Sequence, residues 1–496
     1  MNVGELIAFI LYFLVLLAIG QYFYKKDAKI GSSEKEYFLG GRGMGPWVTG
    51  LSAQASDMSG WLLMGLPGSI LLAGFGQLWI AIGLAIGSYL TWLLIAGRLR
   101  KMSQAANDSI TVPQYLKNRF MQSSLTLQIV CAVIFFVCFT VYVASGYKAG
   151  GDLFSSVLGI DPLIAKIIFG VIVMLYTFTG GYKAVCWTDF FQALLMLVAM
   201  LAVPIIVIAV KDVSFADVAA NDPNYFNFLP TGKADWTSIS TIITGLGWGL
   251  GYTGMPHILV RYMSIKEPKM IKQSRRIATG WVVITLAMAC LIGIVGRIVL
   301  PELLEGNQET VFIKMVDSTL PGFLAGIVLS AILAASMSTA DSQLLVASSA
   351  FTSDIYKPVF KKDASDKEML WVGRLFVVII AVAAFVISII PGSGSIMDLV
   401  GNAWAGFGSA FGPVIVLSVY WKRLTYKGAL AGIIVGGLVD IIWLLWLTAP
   451  TARTPGIYEI VPGFIMGLLA CIIVSLIDKK PSAEVEAMFE NAIKSE

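Results

Sequence analysis

The stretch AQASDMSGW, residues 53 to 61, places a carboxylate, Asp57, inside an apolar run from about 46 to 72. Its neighbours are Ala55, Ser56, Ser59 and Gly60, and no Lys or Arg falls in the run. Asp57 is about eleven residues in, roughly 16 Å along a helix at 1.5 Å per residue. That is near the middle of a hydrocarbon layer about 30 Å thick. An ionisable group at that depth points to a functional site. Among small and hydroxyl residues, its available chemistry is the binding of a cation or of a solute that carries one.

A second polar group lies at 329–345, LSAILAASMSTADSQLL. A hard cation such as Na⁺ prefers oxygen ligands. An unwound helix offers carbonyls, here around Ala55 and Met58. The second segment offers the hydroxyls of Ser338 and Thr339, with Ala335 one turn earlier. Lone membrane hydroxyls usually bond their own i−4 carbonyls. That explains less well the cluster Ser336, Ser338, Thr339, Asp341 and Ser342. Ser338, Asp341 and Ser342 share one helical face. If Asp189 in CWTDFFQ faces them, the group makes a second cation site or an exit path. The alternative is a structural Asp, protonated or hydrogen-bonded.

Broken helix ends carry fixed partial charges that suit a zwitterion. Trp248, Tyr252 and Tyr142 are candidate walls for an apolar ring, with Gly65 and Gly326 leaving room. Aromatics in membrane helices also serve as core or lipid belt. These three gain weight from lying on or near interrupted segments.

The elements that must position these residues follow from composition. The chain has 496 residues, 57% hydrophobic and 13% charged, with mean hydropathy +0.80. Soluble domains carry roughly a quarter charged residues. About thirteen apolar blocks are long enough to span a bilayer, at roughly 5–24, 46–70, 74–96, 124–147, 162–181, 188–210, 237–260, 277–300, 321–350, 370–391, 395–420, 427–448 and 457–477. The expectation is an all-α polytopic membrane protein with no soluble catalytic domain. The first block is too long for a cleaved signal peptide. The odd-numbered loops and the tail hold 28 of the 35 Lys and Arg. The positive-inside rule makes them cytoplasmic, so the N-terminus is expected outside and the C-terminus inside.

Two spans are interrupted more than the rest: the second, ASDMSGWLLMGLPG, and the seventh, GLGWGLGYTGMPH. Backbone groups freed by Gly and Pro cannot face lipid. Five spans separate the two, so spans 2–6 and 7–11 are expected to form an inverted repeat with its site at the midplane. The expected organisation is one transporter domain over 1–496. Its parts are a first repeat at 43–210, a second at 236–420, peripheral helices at 1–24 and 427–477, and a cytoplasmic tail at 478–496.

Other classes find no support. The five Cys have neither zinc nor disulfide spacing. One His gives no ligand cluster, and GxxxxGK[ST] is absent. Basic loops lack aromatic interleaving, so nucleic acid is not expected. The tail after Ile477 is about twenty residues, too short for a sensor's output domain. No Ser/His or paired-metal arrangement supports an intramembrane enzyme.

Several stretches resemble the bacterial sodium/proline symporters of the sodium:solute symporter family. They include TGLSAQASDMSGWLLMGLPG at 49–68, YFLGGR at 37–42, TVPQYLKNRF at 111–120 and AVCWTDFFQA at 184–193. GWGLGY at 247–252, LSAILAASMST at 329–339 and AWAGFGSAFGPV at 403–414 agree too, in order along nearly the whole chain. The resemblance implies a five-plus-five inverted core with one extra N-terminal and two extra C-terminal helices, in the cell membrane. It implies Na⁺-coupled uptake of L-proline by alternating access, with Na⁺ as co-transported ion, no cofactor and no obligatory protein partner. Carried over, the sodium site is Ala55, Met58, Ala335, Ser338 and Thr339. The solute pocket is Asp57, Gly65, Tyr142, Trp248, Tyr252, Pro256 and Gly326. Arg42, Ser59, Gly60 and Asp189 match positions tied to ion coupling, and Asp341 and Ser342 would complete a second cation site. Met255 stands where the proline branch often has Gln, and Thr253 where an aromatic is common. The rival reading keeps the fold and changes the cargo to another amino acid, betaine or pantothenate, with Na⁺ or H⁺ as the coupling ion.

Overall fold

A computed structural model describes residues 3–28, 34–179, 181–447 and 456–494. Among these residues all extended structure is a single isolated bridge between Met44 and Ile265. Everything else regular is helical. Ten helices among the described residues are long and apolar enough to cross a membrane. Helices follow from the apolar blocks because each satisfies its own backbone hydrogen bonds where water is absent. Several helices overrun their apolar blocks at one end. Tyr182–Val210 starts before the block expected at 188, and Ile271–Val299 before the one expected at 277. Polar residues near the membrane surface extend a helix without adding to its hydropathy.

The blocks expected at 46–70 and 74–96 are separated by a tight turn, Gly74–Gln77. Gly74 has φ +66, and a Cβ there would lie 2.2 Å from the Tyr225 carbonyl oxygen. Only glycine fits such a turn.

Both expected interruptions are real breaks. The first broken helix runs over Pro46–Ala55, loses helical form at 56–59 and resumes with a π turn at Trp61–Gly65. The second runs over Trp236–Gly247, tightens to a 3₁₀ turn at Trp248–Thr253 and restarts at Pro256–Ser264. Met255 before the restart is extended (φ −74, ψ 108). Pro256 is the first helical residue, where the N–H it lacks has no intrahelical partner anyway.

Two helices are the most enclosed. In Gly322–Phe360, 78% of the apolar window is buried, and in Ile396–Tyr420, 83%. Val3–Phe23 and Ile460–Ile477 are the least enclosed, at 28% each. The helix Gly322–Phe351 packs against Val3–Ala28, Thr126–Leu158 and Tyr182–Val210, and so runs through the middle of the bundle.

The second broken helix meets Leu78–Leu90 backbone to backbone. A Cβ on Gly87 would lie 2.3 to 2.7 Å from three backbone atoms of Gly249. Neither backbone can yield without moving a helix, and overpacking of this kind costs about 1–3 kcal/mol. Gly87→Ala is therefore expected to lower the thermal midpoint of the detergent-solubilised protein. Gly97→Ala, where a Cβ would meet nothing within 4 Å, should leave it unchanged.

Candidate functional site

The break at 56–59 exposes a carbonyl. In a continuous helix the Ser59 N–H would close onto Ala55; here it donates to Asp57 O at 3.0 Å. The Ala55 carbonyl accepts instead from the long middle helix. Ser338 Oγ donates to it at 2.7 Å and Thr339 Oγ1 at 3.3 Å. Ser338 Oγ also reaches the Ala335 carbonyl at 3.2 Å. Met58 lies in the same non-helical stretch and is fully buried. All five residues expected for a sodium site thus sit on the two elements that meet here, and four of them, Ala55, Ala335, Ser338 and Thr339, carry the contacting oxygens. Five oxygens or fewer, from carbonyls and hydroxyls alone, suit a weakly held monovalent cation better than a divalent one, which gathers carboxylates.

Asp57 is fully buried at the break. Its Oδ2 accepts from the Tyr252 hydroxyl at 2.6 Å, and its Oδ1 has no partner among the described residues. The Asp57 carbonyl accepts from Tyr142 OH at 2.9 Å and Trp61 Nε1 at 3.2 Å. No ion pair involving Asp57 forms among the described residues. One carboxylate oxygen is thus held by the second broken helix and the other is unspent, which suits a cationic group arriving between the two breaks.

Aromatic rings close the space around it. Trp248 stacks on Tyr458 at 4.9 Å and lies 6.5 Å from Trp61. Trp404 meets Tyr252 edge-on at 5.1 Å, and its Nε1 donates to the Trp248 carbonyl at 2.8 Å. Gly65 faces Met397, whose atoms a Cβ would meet at 3.4 Å. A Cβ on Gly60 would lie 2.6 Å from the Ala149 methyl and 3.1 Å from Ser336 Oγ, so three helices meet there. Ser59 Oγ and Ser336 Oγ are buried without hydrogen-bond partners among the described residues. Gly326 is placed apart from this group. It packs on the first helix, where a Cβ would meet Glu5 and Ala8 at 2.6 and 2.7 Å.

A second polar cluster lies one layer away. Asp189 Oδ2 accepts from Ser52 Oγ at 2.7 Å and from Arg261 Nη2 at 3.1 Å. Arg261 also donates to Ser342 Oγ at 2.5 Å, Ser52 Oγ at 3.2 Å and the His257 carbonyl at 2.8 Å. Both charges are buried, with side chains 1% and 0% exposed. Among the described residues neither oxygen of Asp341 has a hydrogen-bond partner, and Asp189 Oδ1 has none either. Gln192 Nε2 donates to Tyr12 OH at 3.0 Å nearby. The structure therefore brings Asp189, Ser342 and Asp341 into one buried cluster.

Arg42 is separate from both. It has φ +54, rare outside glycine, at an expected cost of about 1–3 kcal/mol. Its guanidinium offsets this by binding four groups. It donates to Asp108 Oδ1 at 2.7 Å, Ser103 Oγ at 3.1 Å, the Met263 carbonyl at 2.5 Å and the Ser109 carbonyl at 2.8 Å. It thereby ties the second broken helix's end to the loop after Ala96–Ala105. At the opposite end of the bundle, Glu309 accepts from the backbone N–H of Ile396 and Met397 at 2.9 and 3.0 Å.

Sequence reasoning missed Arg261, Ser52 and Trp404. Arg261 carried a readable signal, a basic residue in an otherwise apolar segment. Its partner, 72 positions away, did not.

The sodium:solute symporter family model matches residues 37–436. The chain is 44% identical over 494 residues to the osmoregulated proline transporter OpuE of Bacillus subtilis (strain 168), covering 99% of this chain and 98% of that one. It is 43% identical over 487 residues to a sodium/proline symporter of Staphylococcus aureus (strain JH9), covering 96% and 93%. A solved Na⁺-coupled sialic acid symporter, in a substrate-bound outward-open state, superposes with TM-score 0.80 at 20% identity, covering 97% and 99%. At that identity the match speaks for the fold.

Proposed function

This chain belongs to the sodium:solute symporter family and is a multi-pass membrane transporter rather than an enzyme, and from that premise we propose that it takes up L-proline together with Na⁺ by alternating access. The observation that carries the reading is the meeting of Ser338 and Thr339 with the Ala55 carbonyl at the break beside Asp57. Proline as cargo rests on the named activities of the two relatives above 40% identity.

Na⁺ joins the first broken helix to the long middle helix through Ala55, Met58, Ala335, Ser338 and Thr339. That fixes the break and aims Asp57 and Tyr252. Proline then binds between Asp57, Tyr142, Trp248 and Tyr252, with Gly65 and Pro256 shaping the space and its ammonium group near Asp57 Oδ1. Pre-ordering by one ligand lowers the ordering cost for the other, so each raises the other's affinity by the same factor. The site is buried from both faces here, so transport requires one seal to open at a time. Arg42 and Glu309 are the seals at the two ends. An inside-negative potential of 100 mV adds about 2.3 kcal/mol per charge moved inward.

In this reading the N-terminus lies outside and the C-terminus inside, thirteen helices cross the bilayer, and residues 43–210 and 236–420 form the inverted repeats. Each repeat contains one broken helix. Gly326 acts through its packing on the first helix.

The test is L-proline uptake into proteoliposomes with and without an inward Na⁺ gradient. Uptake that ignores Na⁺ would end the proposed coupling. Ser338→Ala combined with Thr339→Ala should raise the Na⁺ concentration for half-maximal uptake by about tenfold or more. Each hydroxyl ligand to a charged group is worth about 1.5–3 kcal/mol.

Asp189, Ser342 and Asp341, with Ser338 on the same face, form a second cation site in this reading; Ser59 and Gly60 link it to the break. The unpartnered oxygens of Asp341 support this. The Hill slope for Na⁺ should exceed one and fall toward one in Asp341→Asn. A slope of one in both proteins would remove the second site.

A further inference from the structure

A cavity of about 630 Å³ opens where Ala96–Ala105 meets the C-terminal helix Ala483–Lys494 and the loop after Ser264. Its walls divide by chemistry. Leu93 and Leu94 line one side and are 42% and 45% exposed, an apolar surface of the kind that lipid tails cover. Arg98, Lys101 and Lys269 line the mouth. The carboxylate there, Glu267, is already paired with Lys269 at 2.6 Å. Among the described lining residues this leaves the positive charges of Arg98 and Lys101.

The guanidinium of Arg98 is held in place. It lies 4.1 Å over the Tyr420 ring and donates to the Val419 carbonyl at 3.3 Å. Lys101, one turn further along, makes no ion pair among the described residues. Ile493 of the C-terminal helix closes the far side. That helix is anchored by its buried Val485, Phe489 and Ala492, with Arg119 packed 4.8 Å over the Phe489 ring.

Surplus positive charge beside an apolar, lipid-facing wall at a membrane boundary complements an anionic amphiphile, as basic pockets between membrane helices do in general. We propose that this cavity holds the headgroup phosphate of an anionic glycerophospholipid between Arg98 and Lys101, with its acyl chains along Leu93 and Leu94. On the orientation proposed above this is the cytoplasmic leaflet.

The position gives the lipid leverage. One wall is the helix that carries Ser103, and the other begins at Ile265, next to the helix end that carries Met263. Arg42 binds both. Arg100 spans the same gap, donating to the carbonyls of Ile265 and Lys266 at 2.7 and 3.2 Å. A lipid bridging these walls favours the arrangement in which Arg42 closes this end, and the transport cycle shifts with its occupancy.

The inference rests on the membrane reading and not on the cargo, so its test does not require uptake. The full-length protein, purified in detergent, is titrated with phosphatidylglycerol or phosphatidylcholine. Retained lipid is counted by native mass spectrometry, and the thermal midpoint is followed. The wild type should retain one phosphatidylglycerol in preference to phosphatidylcholine and gain thermal stability from it. Arg98→Gln with Lys101→Gln should weaken that retention about tenfold or more, since each basic residue near an anionic lipid surface contributes measurably. Lys361→Gln with Lys362→Gln removes two charges elsewhere on the same face and should change nothing. If the first double variant does not fold, Lys269→Gln on the loop should lower retention by a smaller factor. Equal retention of the two lipids by the wild type would overturn the proposal. So would equal loss in the control variant, or full displacement by free glycerol 3-phosphate, which would mark a site for soluble phosphates.

Discussion

Asp57→Asn is expected to abolish Na⁺-dependent proline accumulation while leaving the protein folded and in the membrane. Asn keeps the shape and an oxygen that can accept from Tyr252, whose hydroxyl now lies 2.6 Å from Oδ2. It loses the charge and turns one acceptor into a donor, facing whatever cation approaches the unpartnered Oδ1. Losing one partner of a buried charged interaction costs about 2–5 kcal/mol. The expected loss is therefore on the order of 10²- to 10³-fold in uptake at limiting Na⁺ and proline. Initial rates against Na⁺ at fixed proline, and the reverse, would separate the two ligands. By reciprocal coupling both apparent affinities should fall. A mutant in which proline affinity drops and the Na⁺ dependence stays put would confine Asp57 to the solute. Tyr252→Phe removes only the hydrogen bond that aims the carboxylate, so a smaller loss of the same kind is expected.

Arg261→Gln is expected to be the most damaging single change to stability. Arg261 and Asp189 form an ion pair at 3.1 Å with side chains 1% and 0% exposed. The arginine also holds Ser52, Ser342 and the His257 carbonyl. Removing it leaves Asp189 beside Asp341 with no cation, two carboxylates in a water-poor interior. Breaking a buried pair from one side costs about 3–5 kcal/mol, whereas replacing both partners with apolar groups of similar volume is often neutral. Arg261→Met with Asp189→Leu should therefore recover most of the thermal midpoint lost in Arg261→Gln, measured in the same detergent. It should not recover transport if Asp189 handles an ion. A double variant as unstable as the single one would mean that Arg261 stabilises through Ser52, Ser342 and His257 and not through the charge pair.

The two outcomes separate kinds of buried charge. Asp57 has a neutral partner and a spare oxygen, and in the proposed reading a bound cationic group offsets the cost of keeping it so. Arg261 and Asp189 satisfy each other, and beside them the oxygens of Asp341 have no hydrogen-bond partner among the described residues. Charge compensation around Asp189 thus depends on an arginine that the sequence reading never paired with it.

Much was legible without coordinates. Long apolar blocks specify membrane helices, because lipid leaves the backbone no other partner. The Gly- and Pro-rich texts at 55–68 and 245–256 specify broken helices, because those residues carry a fixed penalty in a helix interior. Hydroxyls beside a break mark candidate oxygen ligands. These are local properties of chemistry and spacing, and they led to Asp57, Ala55, Ser338 and Thr339. The likeness of whole segments to one family added the cargo, which no spacing encodes.

Tertiary structure decided the rest. It alone joined Ser338 to Ala55, 283 positions away, and Tyr252 to Asp57, 195 away. It set Gly326 against the first helix and folded the short tail into a helix that closes a basic cavity. Pairings at such separations depend on which faces of many similar apolar helices meet. Hydropathy cannot rank those choices, because lipid and protein interior are nearly equivalent for an apolar side chain. Close backbone packing, as at Gly87 and Gly249, and polar groups that must find one another are what select among them.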